Sequence, residues 1–221
     1  MPQGKFTLIL DDSGHRKSGD ATAGVGRQYI GEIGKTDNGV VLLTTHLYDG
    51  VRKLPLDMAL YQHASSLEQG KQDPRFVKKP DLALQLVDKC LERNYRPKVV
   101  VFDAGYGNNT PFVKELENRN LTYIAAIAKN RQLTYQSLTD DSPRKHRLDE
   151  IAQVLPPESF TPVQLELEQP RTVWVALIQA YVPKLEGLRN VAIQLNAPTR
   201  AQATEVDYFL GIFAGRYSVR K

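Results

Sequence analysis

Apolar residues recur along this chain in short unbroken runs near its start and in helix-spaced stripes further on. Phe6-Thr7-Leu8-Ile9-Leu10 is an apolar, partly β-branched run that stops at Asp11-Asp12-Ser13-Gly14, which predicts a buried strand delivering acids to its end. After a polar turn from His15 to Asp20, Val25, Tyr29, Ile30 and Ile33 stand among Gly24, Gly26 and Gly31, as in a strand whose backbone is closely approached. Asn38-Gly39 then predicts a type I′ hairpin turn, because both central positions of that turn need positive φ, and Val40 to Tyr48 is the returning strand. The opening is therefore three strands in meander order.

From Gly50 to Lys79 the period is lost among Pro55, Gly70, Pro74 and many charges, which predicts a long surface excursion with one helical turn. Pro80 and Asp81 open a helix with Leu82, Leu86, Val87, Cys90 and Leu91 on one face, ending near Asn94. Val99 to Phe102 is a second buried strand, and it too ends in an acid, Asp103. Thr110 as N-cap with Pro111 behind it starts a helix to about Asn118, and Thr122 to Ile127 is a further strand. The order over this part is β-β-β-α-β-α-β. Beyond Lys129 the texture changes, with polar or proline breaks at Asp140 to Lys145 and Pro156-Pro157 and strands over Val173–Ala180, Asn190–Asn196 and Val206–Phe213. An α/β core over residues 1–130 followed by a mostly β subdomain over 131–221 is the expected organisation.

Composition narrows the classes. A chain of 221 residues, 41% hydrophobic and 24% charged, buries a sizeable core and is no disordered tail. The single cysteine, Cys90, excludes an intrachain disulfide, and His15, His46, His63 and His146 lack the spacing of a zinc site. No apolar run approaches the ~20 residues of a membrane span, and the start is not a signal peptide, so a soluble, cytoplasmic, non-membrane protein is expected. Lys and Arg number 29 against 25 Asp and Glu, a net +4 that permits a polyanionic partner without requiring one.

The repeated device, an acid directly after a buried strand, carries the candidate chemistry. If those strands are neighbours, Asp11 and Asp103 converge, and an all-oxygen site suits Mg²⁺ or Mn²⁺. Divalent ions there activate water and stabilise the leaving oxygen of a phosphodiester. The competing reading makes each acid a turn former or helix cap. Asp12 is either a supporting acid or, the favoured reading, a solvated turn residue. Arg16, Lys17, Arg27 and Lys35 are candidates to meet phosphates. Arg144-Lys145-His146-Arg147 reads as a solvent-facing loop, while Tyr106 and Trp174 read as packing. No helix follows Gly24, Gly26, Gly31 and Gly34, so they form no dinucleotide fingerprint.

Taken together, Leu10 to Gly19, Val25 to Gly31 with Gly34-Lys35 and Asn38-Gly39, Lys78 to Ala83, and Val101 to Gly107 resemble the DDE-superfamily transposases of bacterial insertion sequences. The likeness runs over about residues 5 to 131, and more weakly from Trp174 to Phe209. It implies an RNase H-like mixed sheet with a β-rich insertion, Asp11 and Asp103 as catalytic acids binding Mg²⁺ (or Mn²⁺), Lys129 near the DNA path, and cleavage and strand transfer at transposon ends in the nucleoid. Two departures stand out. Only Met1 to Gly4 precede the first strand, where the family carries a helical DNA-binding segment. The chain stops at Arg216 to Lys221 without the third acid, and Glu205 precedes a strand, so it is no substitute. A truncated copy, inactive or weakly active, is the expectation. The alternative is a non-catalytic remnant that binds DNA or inhibits a full-length transposase in mixed complexes, with homo-oligomerisation left open. A phosphatase using Asp11 as nucleophile is disfavoured, since Ser13 stands where a second Asp is wanted.

Overall fold

The computed structural model describes residues 5–136 and 142–212. Met1 to Gly4, the Asp140-Asp141 break, Phe213 and the closing Arg216 to Lys221 lie outside them. The chain divides into two compact units, one through Phe102 and one from Asp103 onward. No helix among the described residues is long and apolar enough to cross a membrane.

The first unit contains β1 (Thr7–Arg16), β2 (Gly26–Ile30), β3 (Lys35–Tyr48), β4 (Lys53–Tyr61), α1 (Lys79–Glu92) and β5 (Val99–Phe102). Its spine is β3. One edge of β3 pairs antiparallel with β1, from Arg16↔Gly39 to Thr7↔Tyr48. The other edge pairs first with β2 and then, from Val41 on, with β4. On its far side β1 takes β5 in parallel, from Thr7↔Val99 to Leu10↔Phe102, so the sheet is mixed, as the RNase H-like expectation requires. Strand alternation sends Leu8, Leu10, Val41, Leu43, Leu47, Val100 and Phe102 into the core. The helix α1 packs against β3 and β4 and buries Ala83, Leu84, Leu86, Val87 and Cys90. Its buried stripe is turned slightly from the expected one, leaving Leu82 and Leu91 half-exposed.

Four expectations are corrected here. The first three strands are no meander, because β3 lies between β1 and β2. The first strand does not stop at Leu10; it runs on through both acids to Arg16, paired there with β3. The chain reverses not at Asn38-Gly39 but at the short turn Gly31–Ile33, closed by Gly34 at φ 64°. Asn38 instead lies within β3, and its amide donates to the carbonyls of Lys17 (3.0 Å) and Gly19 (2.9 Å), tying down the loop after β1. Gly39 serves close approach, since a Cβ there would fall 2.5 Å from the His15 carbonyl oxygen. Lastly, the expected excursion after Gly50 contains β4. Its alternation is hidden by Pro55 and by a bulge where the register slips between Thr45 and His46, and proline is tolerated because β4 is an edge.

The second unit contains α2 (Ala104–Gly107), α3 (Thr110–Asn118), β6 (Tyr123–Ala126), β7 (Gln132–Tyr135), β8 (Arg144–Arg147), α4 (Leu148–Val154), β9 (Thr161–Leu165), β10 (Arg171–Tyr181), β11 (Leu188–Leu195) and β12 (Val206–Ile212). Its strands lie in the order β6-β12-β11-β10-β7-β8, with β9 also on β10, and the three expected strands are its antiparallel centre. The N-cap of α3 is Asn109 rather than Thr110; its side chain accepts the Phe112 N–H at 3.1 Å. The basic run Arg144 to Arg147 is no loop but β8, paired with β7. Arg189 of β11 clamps α3 through two bonds to Glu117, at 2.8 and 2.6 Å, and the Tyr123 hydroxyl donates to the same carboxylate.

Candidate active site

The sheet of the first unit gives Asp11 and Asp12 different surroundings. Through Leu10, β1 is flanked on both sides; past the Leu10↔Phe102 pair its parallel neighbour ends and one edge opens. Asp11 stands opposite Thr44 and Asp12 opposite Leu43, so the two acids project to opposite faces. Asp11 is exposed, and its Oδ1 accepts the Asp12 N–H at 2.8 Å. Asp12 shares the face of Leu8, Leu10 and Leu43, is half-buried, and accepts a 2.8 Å bond from Lys79 Nζ at the start of α1. That ammonium also lies 5.4 Å from the centroid of the Tyr61 ring, a cation–π distance. Asp12 is therefore a strand residue in a partly buried ion pair, not a solvated turn residue.

Asp103 follows Phe102 across one peptide bond. Its Oδ1 accepts the N–H groups of Gly105 (3.0 Å) and Tyr106 (3.3 Å), capping α2. The glycines after it are steric requirements. A Cβ on Gly105 would lie 3.1 Å from that Oδ1, and one on Gly107 would lie 2.0 Å from the Ala126 carbonyl oxygen. Tyr106 is buried against Phe112, ring centroids 5.3 Å apart, as packing requires.

Arg131 completes this corner, and sequence reasoning missed it. Its guanidinium donates to the Gly107 carbonyl (2.8 Å) and to Thr110 Oγ1 (2.9 Å), and burial lowers its pKa. The available signal was a polar triplet, Lys129-Asn130-Arg131, directly after an apolar strand. Beside it lies a shallow cleft of 440 Å³ lined by Asn108, Thr110, Asn130, Arg131, Gln132 and Pro183, among others.

The expected cationic residues separate by unit. Arg16, Lys17 and Arg27 gather round the Asp37–Gly39 stretch of β3: Arg16 Nε lies 3.1 Å from Asp37 Oδ2, Lys17 bonds Asn38 through its backbone, and Arg27 pairs with Asn38 in the ladder. The Asn38 N–H, with Arg16, Lys35 and Arg27 nearby, holds the Asp37 carboxyl below its ordinary pKa. Lys129 is exposed in the second unit, its carbonyl accepting the Asp149 N–H at 2.9 Å. Glu205 precedes β12 and is exposed. Among the described residues no group of three or more His, Cys, Asp or Glu is arranged to hold a metal ion.

A family model described as DDE superfamily endonuclease matches residues 1–173, from β1 past both expected acids into the β-rich region. The chain belongs to the DDE endonuclease superfamily. Endonucleases of this superfamily use divalent metal ions. The chain is also similar to a "Probable transposase for insertion sequence element IS701" of Microchaete diplosiphon, with 36% identity over 124 residues, which is 56% of this chain and 32% of the relative. It thus spans about a third of that relative's length. The DDE endonuclease chain carries Asp11 and Asp12 within β1, Asp103 after β5, the glycine-rich α2 and the Lys79 contact within the matched region.

Proposed function

We propose that the chain is the DNA-cutting part of an insertion-sequence transposase, acting on phosphodiesters at transposon ends by metal-dependent cleavage and strand transfer. Residues 1–130 form the catalytic core in this proposal, and residues 131–221 the β-rich insertion. Asp11 and Asp103 are the acids, and Mg²⁺ or Mn²⁺ the metal. The supporting observation is the parallel register of the first unit: Phe102 stands beside Leu10, and in the sequence an aspartate follows each of them. Two carboxylates are a donor set of oxygens alone, which fits a hard divalent ion. Two backbone N–H bonds fix the Asp103 carboxylate in place, so little reorganisation accompanies binding. Bound there, the ion supplies activation of a water and stabilisation of the leaving oxygen. Arg16, Lys17, Arg27 and Lys129 are proposed to meet DNA phosphates.

Asp11 and Asp103 alone offer few anionic ligands to a second ion, so weak cleavage of transposon ends by these 221 residues is part of the proposal. A second assignment of the first acid replaces Asp11 by Asp12, favoured by the position of Asp12 on the α1 face and its bond to Lys79. Manganese titration by calorimetry, with Asp11→Asn, Asp12→Asn and Asp103→Asn compared, tests both. Weak binding that is lost with Asp103→Asn and with one of the other two is expected, and the one that loses it names the first acid. Binding unaffected by all three overturns the site, and cleavage of a cognate end in Mg²⁺ at a rate unchanged by Asp103→Asn overturns the function.

A further inference from the structure

We propose that one face of the second unit binds single-stranded DNA, with Tyr181 stacking on an unpaired base and Lys145, Lys184 and Lys129 meeting the phosphates. The ladder registers place Tyr181 and Lys145 on one face. Gln132 pairs with Arg147 and Thr134 with Lys145, and residues directly opposite in a ladder share a face. The alternate positions, Leu133 and His146, turn inward, Leu133 being fully buried. Thr134 also pairs with Tyr181 of β10, so Tyr181, Thr134, Lys145, Gln132 and Arg147 form one outward patch.

Tyr181 is 45% exposed, so its ring is open to a stacking partner. Gln132 belongs both to this patch and to the lining of the 440 Å³ cleft, which joins the two. Pro183 lines the cleft and Lys184, exposed, follows it; Ala128 and Asn130 line it and Lys129, exposed, stands between them. Arg147 contributes less, because its guanidinium is held by Asp149 at 3.0 and 2.6 Å. An exposed aromatic ring with a lysine on its face, next to a cleft walled by amide and hydroxyl side chains and flanked in sequence by Lys129 and Lys184, is the chemistry that holds a single strand: every base has a face to stack, and the backbone follows the cations. The competing explanation is that Lys145 only keeps the β8 edge from pairing with other chains.

Binding at this face rests on the transposase reading for its partner but not for its acids, so it is measured in EDTA. The full chain is titrated into a fluorescein-labelled oligothymidylate and into a duplex of equal length, followed by fluorescence anisotropy. The expected result is tighter binding of the single strand, weakened about tenfold by Tyr181→Ala and kept by Tyr181→Phe. Lys145→Ala reduces the salt dependence by about 0.7 in the log–log slope. Wild-type affinity in both alanine variants, or a preference for duplex, overturns the proposal. A measurement that needs no variant is ultraviolet cross-linking to a bromodeoxyuridine oligonucleotide: adducts on Tyr181 or on strands β7 and β8 support the site, and adducts confined elsewhere overturn it. Failure of the metal titration leaves these outcomes standing, and their failure leaves the metal titration standing.

Discussion

At the scale of single residues, Asp103 does two jobs that can be separated. Its Oδ1 caps α2, and Asn keeps a capping oxygen while losing the charge. Urea unfolding is expected to show Asp103→Ala less stable by about 1 kcal/mol and Asp103→Asn by less than half of that, with manganese binding lost in both. Equal destabilisation by the two would mean that the charge, not the cap, stabilises the corner. Cys90 gives a second residue-level prediction. Burial in α1, with the Asp57 carboxylate nearby, pushes its thiol up to about 11 from an ordinary value of 9.0. A raised value means that the folded protein keeps the proton where the unfolded chain gives it up. This contribution is complete below pH 9, declines as pH rises through the window from about 9 to about 11, and is gone above it. Ellman's reagent at pH 8 should therefore label Cys90 only at the rate of unfolding; prompt labelling in native buffer would contradict its burial.

At the scale of elements, the ion pair between α3 and β11 is the clearest long-range clamp in the second unit. Arg189 and Glu117 side chains are only 9% and 16% exposed, 72 positions apart in sequence, and the Tyr123 hydroxyl joins them. Arg189→Met leaves the carboxylate buried without its cation, and a loss of about 3 kcal/mol by urea unfolding is expected. Adding Glu117→Met should recover part of that loss; no recovery would show that the pair matters through arginine packing alone. Gly107→Ala belongs to the same scale: with a Cβ 2.0 Å from the Ala126 carbonyl oxygen, α2 must lift off β6, and a fall of about 2 kcal/mol in urea is expected. Elements whose signal is local were legible beforehand. Val99 to Phe102 is an apolar run with both ends marked, and α1 announces itself with Pro80 and a stripe. The misses share one physical cause, which is dependence on a distant partner. The β4 strand exists because β3 offers it an edge despite Pro55, and β8 exists because β7 does, although Arg144 to Arg147 contains nothing apolar. The Asn38-Gly39 turn failed for the same reason: His15 and Lys17, far back in sequence, claim those two residues for the ladder and for a side-chain tether.

At the scale of the whole molecule, the surplus of +4 is too small to hold DNA by net charge, so any affinity comes from where the cations sit. If Lys129, Lys145 and Lys184 supply the contacts, the log–log salt slope for a single strand should be near −2, about 0.7 for each phosphate neutralised. A slope about twice as steep, near −4, would mean that Arg16, Lys17 and Arg27 meet phosphates as well. Of the candidate site, the strand-end position of Asp103 was legible because it needs only a buried run and a stop. The different surroundings of Asp11 and Asp12 were not, because they depend on β1 continuing past Leu10, which β3 decides. The capping role of Asp103 also separates architecture from chemistry at this position. An aspartate here closes the start of α2 whether or not an ion ever binds, so its presence in a chain is a record of folding and not by itself a record of catalysis.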